Sequence, residues 1–405
     1  MSVITGLGVV APNGVGVKEF WAATLTGRSG IGELDRFDTS GQSARLAALV
    51  RDIDPAEHLP GRLLPQTDVS TRLALVAAQS AIEDADLDTA GMTDYDMGVV
   101  TANASGGFEF THREFRKLWS RGSQHVSAYE SFAWFYAVNT GQISIRHGMR
   151  GPSCALVAEQ AGGLDALGQA RRSIRAGVPL MVTGGVDSAF DPWGWVSHLS
   201  SGRVSADPDP DTAYRPFDTG ASGYVPGEGG ALCILEDARS ADDRGARVYG
   251  ELAGYAATFD PAPDSVRPPG LRRAAELALA DAGIAADEVD VVFADAAGVP
   301  ELDRSEAEAL RDVFGVRGVP VTAPKALTGR LFSGGGVLDV VSALMSIQDQ
   351  VIPPTFGTGT VPAEYGIDVV LGEPREARVG TALVLARGRW GFNAAVVIRS
   401  SRKGS

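Results

Sequence analysis

The sequence predicts an α/β protein made of two similar halves. Strand-like apolar runs alternate with helical ones along the whole chain, and Gly and Pro punctuate them. The second half then repeats the order of elements found in the first. At 405 residues the chain is too long for one simple core and suits two packed halves. A division near Arg239 to Arg247 gives residues 1–243 and 244–405.

Taken in order, the chain enters a strand at once with Val3-Ile-Thr-Gly-Leu-Gly-Val-Val, which leaves no room for a signal peptide. Residues 71–85 have helical periodicity, 87–95 read as a turn and 97–102 as a strand. The replay is a helix over 271–282, a turn over 284–288 and a strand over 289–294. Glu83-Asp84-Ala85-Asp86-Leu87 is echoed by Ala280-Asp281-Ala282-Gly283-Ile284, which points to an internal duplication. Residues 108–119 form an amphipathic helix with Phe108, Thr111 and Phe115 on one face. An aromatic cluster follows over 129–136, including Phe132, Trp134 and Phe135; it suits a core, a subunit interface or the wall of an apolar tunnel.

The most unusual stretch starts at Cys154. Residues 154–158 read as a buried strand, Gln160 falls at a turn, and Gly162 and Gly163 permit a close approach of backbone or ligand. Leu164, Leu167 and Ile174 then recur at helical spacing up to Gly177. A strand, tight turn and helix lift a nucleophile onto a helix N-terminus, where the dipole favours a thiolate or an oxyanion. Here the position holds a carboxamide, which is not a nucleophile.

Composition narrows the classes. Hydrophobic residues make up 44 % and charged ones 21 %, as in ordinary globular proteins. A net charge of −14 argues against nucleic acid or an anionic membrane as partner, and against a broad docking face for an acidic protein. Arg171, Arg172 and Arg175 read as a solvated helix face. The two cysteines, Cys154 and Cys233, read as buried reduced thiols, and no metal-ligand spacing is present. No apolar stretch approaches a membrane span, so the expected location is cytoplasmic. Only the tail from Arg399 onward reads as disordered.

Several long motifs carry a family resemblance. Tyr214-Arg-Pro-Phe-Asp218 and Gly223-Tyr-Val-Pro-Gly-Glu-Gly-Gly-Ala-Leu-Cys-Ile-Leu-Glu236 resemble the signature of β-ketoacyl synthases. Pro192-Trp-Gly-Trp195, Ser201-Gly-Arg-Val-Ser205, the opening Thr5-Gly-Leu-Gly-Val-Val-Ala-Pro12 and the closing Gly391-Phe-Asn393 match the same family. The resemblance covers nearly the whole chain. It implies a thiolase-like fold, two duplicated halves in a five-layered αβαβα sandwich, normally dimeric.

A ketosynthase needs a cysteine that takes the acyl chain and two histidines that assist decarboxylation and stabilise the enolate. The resemblance places Gln160 at the cysteine. The first histidine lies in an Ala-His-Gly-Thr-Gly-Thr-Pro motif, which here reads Ala294-Asp-Ala-Ala-Gly-Val-Pro300 and puts Asp295 in its place. The second follows a lysine in Lys-Ser-x-x-Gly-His, here Lys325-Ala-Leu-Thr-Gly-Arg330, so Arg330 replaces it. Lys325 and Glu306 stand at matching positions as expected members of structural ion pairs. All three catalytic functions are lost together, so no catalytic residue is expected.

The departures themselves are similar to one branch. Val157-Ala-Glu-Gln-Ala-Gly-Gly-Leu-Asp165 and the run from Ser131 to Gly148 look like the β-subunit of type II polyketide ketosynthases, the chain length factor. That resemblance implies a heterodimer with an active, cysteine-bearing ketosynthase, fed by an acyl carrier protein carrying malonyl and polyketide. The carrier would dock mostly on the active partner. No cofactor resides in the chain; phosphopantetheine arrives on the carrier. Phe108, Thr111 and Phe115 fall at the chain-length gate, and two phenylalanines there suggest a product of octaketide size. The partner would be met by Cys154, Ala155, Leu156, Val157, Ala158 and Glu159, with Phe132 nearby. Two other readings are a malonyl decarboxylase that primes the synthase through Gln160, and an acyltransferase using Ser153 or Cys154.

Overall fold

The computed structural model describes residues 1–262 and 264–401. Ten strands carry the architecture: β1 (Ser2–Ala11), β2 (Met97–Ala102), β3 (Ser153–Leu156), β4 (Leu180–Asp187), β5 (Gly229–Asp237), β6 (Gly250–Phe259), β7 (Val291–Phe293), β8 (Pro320–Thr322), β9 (Thr381–Arg387) and β10 (Phe392–Arg399). The helices that matter here are α1 (Val69–Asp84), α2 (Phe108–Arg121), α3 (Gly162–Arg175), α4 (Pro192–Leu199), α5 (Leu271–Ala282), α6 (Pro300–Phe314) and α7 (Ser333–Asp349).

The duplication holds for five strands of each half; the second half adds a short strand, Asp368–Val369, outside Pro320–Thr322. The first half orders its strands β3-β2-β4-β5-β1 and the second β8-β7-β9-β10-β6, so each runs third, second, fourth, fifth, first. In both, the first three strands of that order are parallel and the last two antiparallel. The two halves join edge to edge where Val3 and Ile4 of β1 pair with Glu251 and Gly250 of β6.

Five layers follow. Helix α1 covers the outer face of the first sheet and α5 that of the second, while α3 and α7 lie between and touch both. Helix α7 is buried on every side from Ser333 through Ile347, as a helix in a middle layer requires. The two central helices cross closely: a Cβ on Gly163 of α3 would stand 2.2 Å from the Ser333 carbonyl. That is the close approach expected of this glycine.

Helix α5 and strand β2 match their expected bounds, and α1 begins two residues earlier than expected because Asp68 caps it. Other expectations need correction. Strand β3 stops at Leu156, and Val157 and Ala158 already lead into the turn. Arg171 is buried, not solvated: it pairs with Asp281 of α5 and donates to the Ala253 carbonyl, fastening a central helix to the second half. Cys154 is half-buried and Ser153 exposed, because β3 is an edge strand; Cys233 is buried as expected. Arg399 closes β10 and pairs with Glu251 at 2.7 Å, while residues 402–405 of the tail lie outside the described residues. No helix among the described residues is long and apolar enough to cross a membrane.

Candidate functional site

The turn between β3 and α3 is a short 3-10 segment, Glu159–Ala161. Glu159 holds a left-handed φ of 50°, an uncommon conformation for a residue with a side chain. Its carboxylate accepts from the backbone N–H groups of Arg389 (2.6 Å) and Gln160 (3.1 Å), which locks the turn. Burial pushes the Glu159 carboxyl up despite the nearby Arg330 charge and these donors.

Gln160 is buried inside this turn. With its oxygen facing donors, the carboxamide accepts from Arg330 Nε (3.2 Å) and Phe332 N (3.2 Å), and donates to Phe332 O (3.0 Å). Arg330 in turn reaches Asp295: Nη2 to Oδ1 at 3.0 Å, and Nη1 to the Asp295 carbonyl at 2.9 Å. The three degenerate positions, scattered over 170 residues of sequence, thus form one interlocked group.

Arg387, which the sequence did not single out, completes it. Its backbone N–H donates to Asp295 Oδ1 (2.8 Å), its Nε lies 3.4 Å from Asp295 Oδ2, and its Nη2 lies 3.3 Å from Glu306. Burial opposes ionisation of Asp295, but the charges of Arg330, Arg387 and Lys325 outweigh it and hold the carboxyl down at about 2. Arg330 is raised further, burial being overcome by Asp295. Glu306 also accepts from the N–H groups of Asp295 (2.7 Å) and Ala296 (2.8 Å). Lys325 pairs with Asp339 at 2.7 Å and donates to the Ala294 carbonyl. The expected structural ion pairs are therefore present, each with a partner that spacing did not reveal.

Around this group lies a small cleft of roughly 100 Å³, lined also by Arg203, Asp260, Arg389 and Trp390. No histidine or cysteine lines it. Burial pushes the Cys154 thiol up, which disfavours a thiolate. No group of described residues is arranged to hold a metal ion.

Phe108, Thr111 and Phe115 share one face of α2, as expected. Both phenylalanine rings lean on Trp193 of α4, with centroids 5.0 Å and 6.0 Å away, and Thr111 is buried beside them. Asp191 caps α4 through the N–H groups of Trp193 (3.1 Å) and Gly194 (3.0 Å), and also pairs with His112 of α2.

Strand β3 forms one end of the sheet and, among the described residues, pairs only with β2, from Val99↔Ser153 to Ala102↔Leu156. Cys154, Ala155 and Leu156 are half-buried and Val157 is 49 % exposed; Ala158 is buried within the chain, and Glu159 is drawn into the cleft. Large apolar groups are exposed nearby in sequence: Trp119, Tyr129, Trp134, Phe135 and Ile145, with Phe132 half-buried against Tyr129.

The N-terminal domain model of β-ketoacyl synthases matches residues 3–241, and the C-terminal domain model matches residues 249–358. The chain belongs to the β-ketoacyl synthase family. The chain is 68 % identical over 401 residues to the actinorhodin polyketide β-ketoacyl synthase 2 of Streptomyces coelicolor, covering 98 % of each. It is 58 % identical over 399 residues to the tetracenomycin polyketide synthase ketoacyl synthase β-subunit of Streptomyces glaucescens, again 98 % of each. The solved ishigamide ketosynthase/chain length factor superposes with a TM-score of 0.91 at 27 % identity, covering 99 % of both chains. Within its family, this β-ketoacyl synthase relative sides with the polyketide β-subunits, and its thiolase-like fold is the one expected from the motifs.

Proposed function

We propose that this chain is the non-catalytic subunit of a type II polyketide ketosynthase, pairing with an active ketosynthase and setting the length of the polyketide. One observation carries the reading: the three positions where the family keeps its chemistry are occupied by Gln160, Asp295 and Arg330, bound to one another. The guanidinium that could steady an enolate is spent on a buried carboxylate, and neither histidine nor cysteine among the described residues lines the cleft. In the priming alternative Gln160 would hold a thioester carbonyl, but its carboxamide is committed to Arg330 and Phe332.

The partner completes the site across the open edge of β3. The acyl carrier protein brings malonyl groups and the growing chain on its phosphopantetheine, so the chain itself needs no resident cofactor. A cytoplasmic location belongs to the same proposal. The gate is the face of Phe108, Thr111 and Phe115, closed by Trp193, and it sets a product of octaketide size.

The test is the double variant Phe108→Ala plus Phe115→Ala, co-expressed with its ketosynthase. Removing both rings clears the face that leans on Trp193, so most of the product is expected to shift to longer chains, read by mass spectrometry. An unchanged product length in an intact heterodimer would remove these residues from the gate.

A further inference from the structure

The gate helix α2 has no cap of its own. The residue before it is Gly107, without a side chain to satisfy the first N–H groups of the helix. Nothing larger fits there: a Cβ on Gly107 would stand 1.9 Å from the Ala133 carbonyl. The missing cap comes from elsewhere. Asp68, buried at the start of α1, accepts from Ser70 N with Oδ1 and from Phe110 N with Oδ2, both at 2.9 Å. Phe110 is the third residue of α2, the position that an ordinary capping side chain serves. One carboxylate therefore starts two helices.

The consequence is mechanical. Helix α1 is part of the rigid core of the first half, packed on β1, β5 and β4. Phe108 and Phe115 sit on α2 within two turns of the Asp68 contact, leaning on Trp193. A second buried carboxylate, Asp187 of β4, accepts from Ala104 N and Ser105 N (each 3.0 Å) in the loop that leads into α2. The approach to the helix and its first turn are thus both tied to the core by side chains from outside α2.

We propose that Asp68 is a positioning residue for chain length: by capping α2 from α1, it sets where the gate rings stand against Trp193. This rests on the gate reading given above. Asp68→Ser keeps a good cap for α1 but offers one oxygen where two are used. Asp68→Asn replaces one acceptor with a donor that would face an N–H. Each variant is co-expressed with the ketosynthase and compared with Asp237→Ala, which removes the cap of the short helix Ala238–Asp243. The expected result is an intact heterodimer whose off-length products rise several-fold with either Asp68 variant, together with faster amide exchange over residues 108–112. The Asp237 variant should leave product length alone.

An unchanged product distribution in the intact Asp68 heterodimers overturns the inference. So does failure of both variants to pair, which would make Asp68 a folding residue. The Phe108→Ala, Phe115→Ala variant run alongside separates the two readings. If it shifts product length and the Asp68 variants do not, only the positioning role falls; if it does not, the gate itself is lost.

Discussion

At the scale of single residues, the departure from the family's catalytic set is more than the absence of one nucleophile. Gln160, Arg330, Asp295 and Arg387 satisfy one another in a buried site, so reversing one substitution leaves the rest in place. Gln160→Cys would present a thiol to a guanidinium that is already paired with Asp295, with no histidine to assist decarboxylation. We expect this variant, without its partner, to incorporate labelled malonyl groups at background level; measurable condensation would mean that Arg330 and Asp295 can replace the histidines. Gln160→Ala in the heterodimer should release carbon dioxide from malonyl-carrier protein at the wild-type rate. A drop of tenfold or more would restore the priming alternative.

At the scale of elements, the proposed assembly rests on β3. Its outer edge leaves backbone N–H and C=O groups without a neighbouring strand, flanked by half-buried Cys154, Ala155 and Leu156. A lone protein blunts such an edge with charge or proline, and β3 carries neither. Leu156→Lys places a charge on the strand that would meet the partner, at a position already partly open to water. The variant is expected to fold alone yet weaken pairing by tenfold or more, read by size-exclusion chromatography of the co-expressed chains. Undiminished co-elution would move the interface away from β3.

At the scale of the molecule, burial of carboxyl groups shapes the response to pH. Burial pushes Asp68 and Asp303 up to about 7, and Asp165, Asp187 and Asp339 up to about 6, against hydrogen bonds and cations that pull the other way. Each holds its proton more tightly folded than unfolded. Its contribution is fully present below about pH 4 and fades as pH rises through 6 and 7. Asp295, held near 2, contributes above about pH 4 and is lost only as pH falls further. Stability from urea unfolding should therefore be lower at about pH 8 than at about pH 5.5, by more than about 1 kcal/mol. A flat or rising profile would show that these buried carboxyls ionise without penalty.

The sequence by itself determined the fold class, the repeat and which residues stand where the family keeps its catalytic set. Helical and strand periodicities are local, so 71–85, 97–102 and 271–282 were legible to within a few residues. The motifs around Gln160, Asp295 and Arg330 are local strings too, and showed which groups had gone. What replaced them depended on tertiary structure. Arg387 meets Asp295 across 92 residues, and Lys325 pairs with Asp339 only because a turn of α7 faces the loop before it. Arg171 looked solvated because its helix carries three arginines, yet the second half folds over it. The proposed gate shows the same division. Helical spacing puts Phe108, Thr111 and Phe115 on one face, but only packing brings Trp193 against them, and only packing lets Asp68 begin a helix that starts 40 residues later. Backbone periodicity is written residue by residue; the pairing of charges, rings and caps across the core is settled only when the layers close.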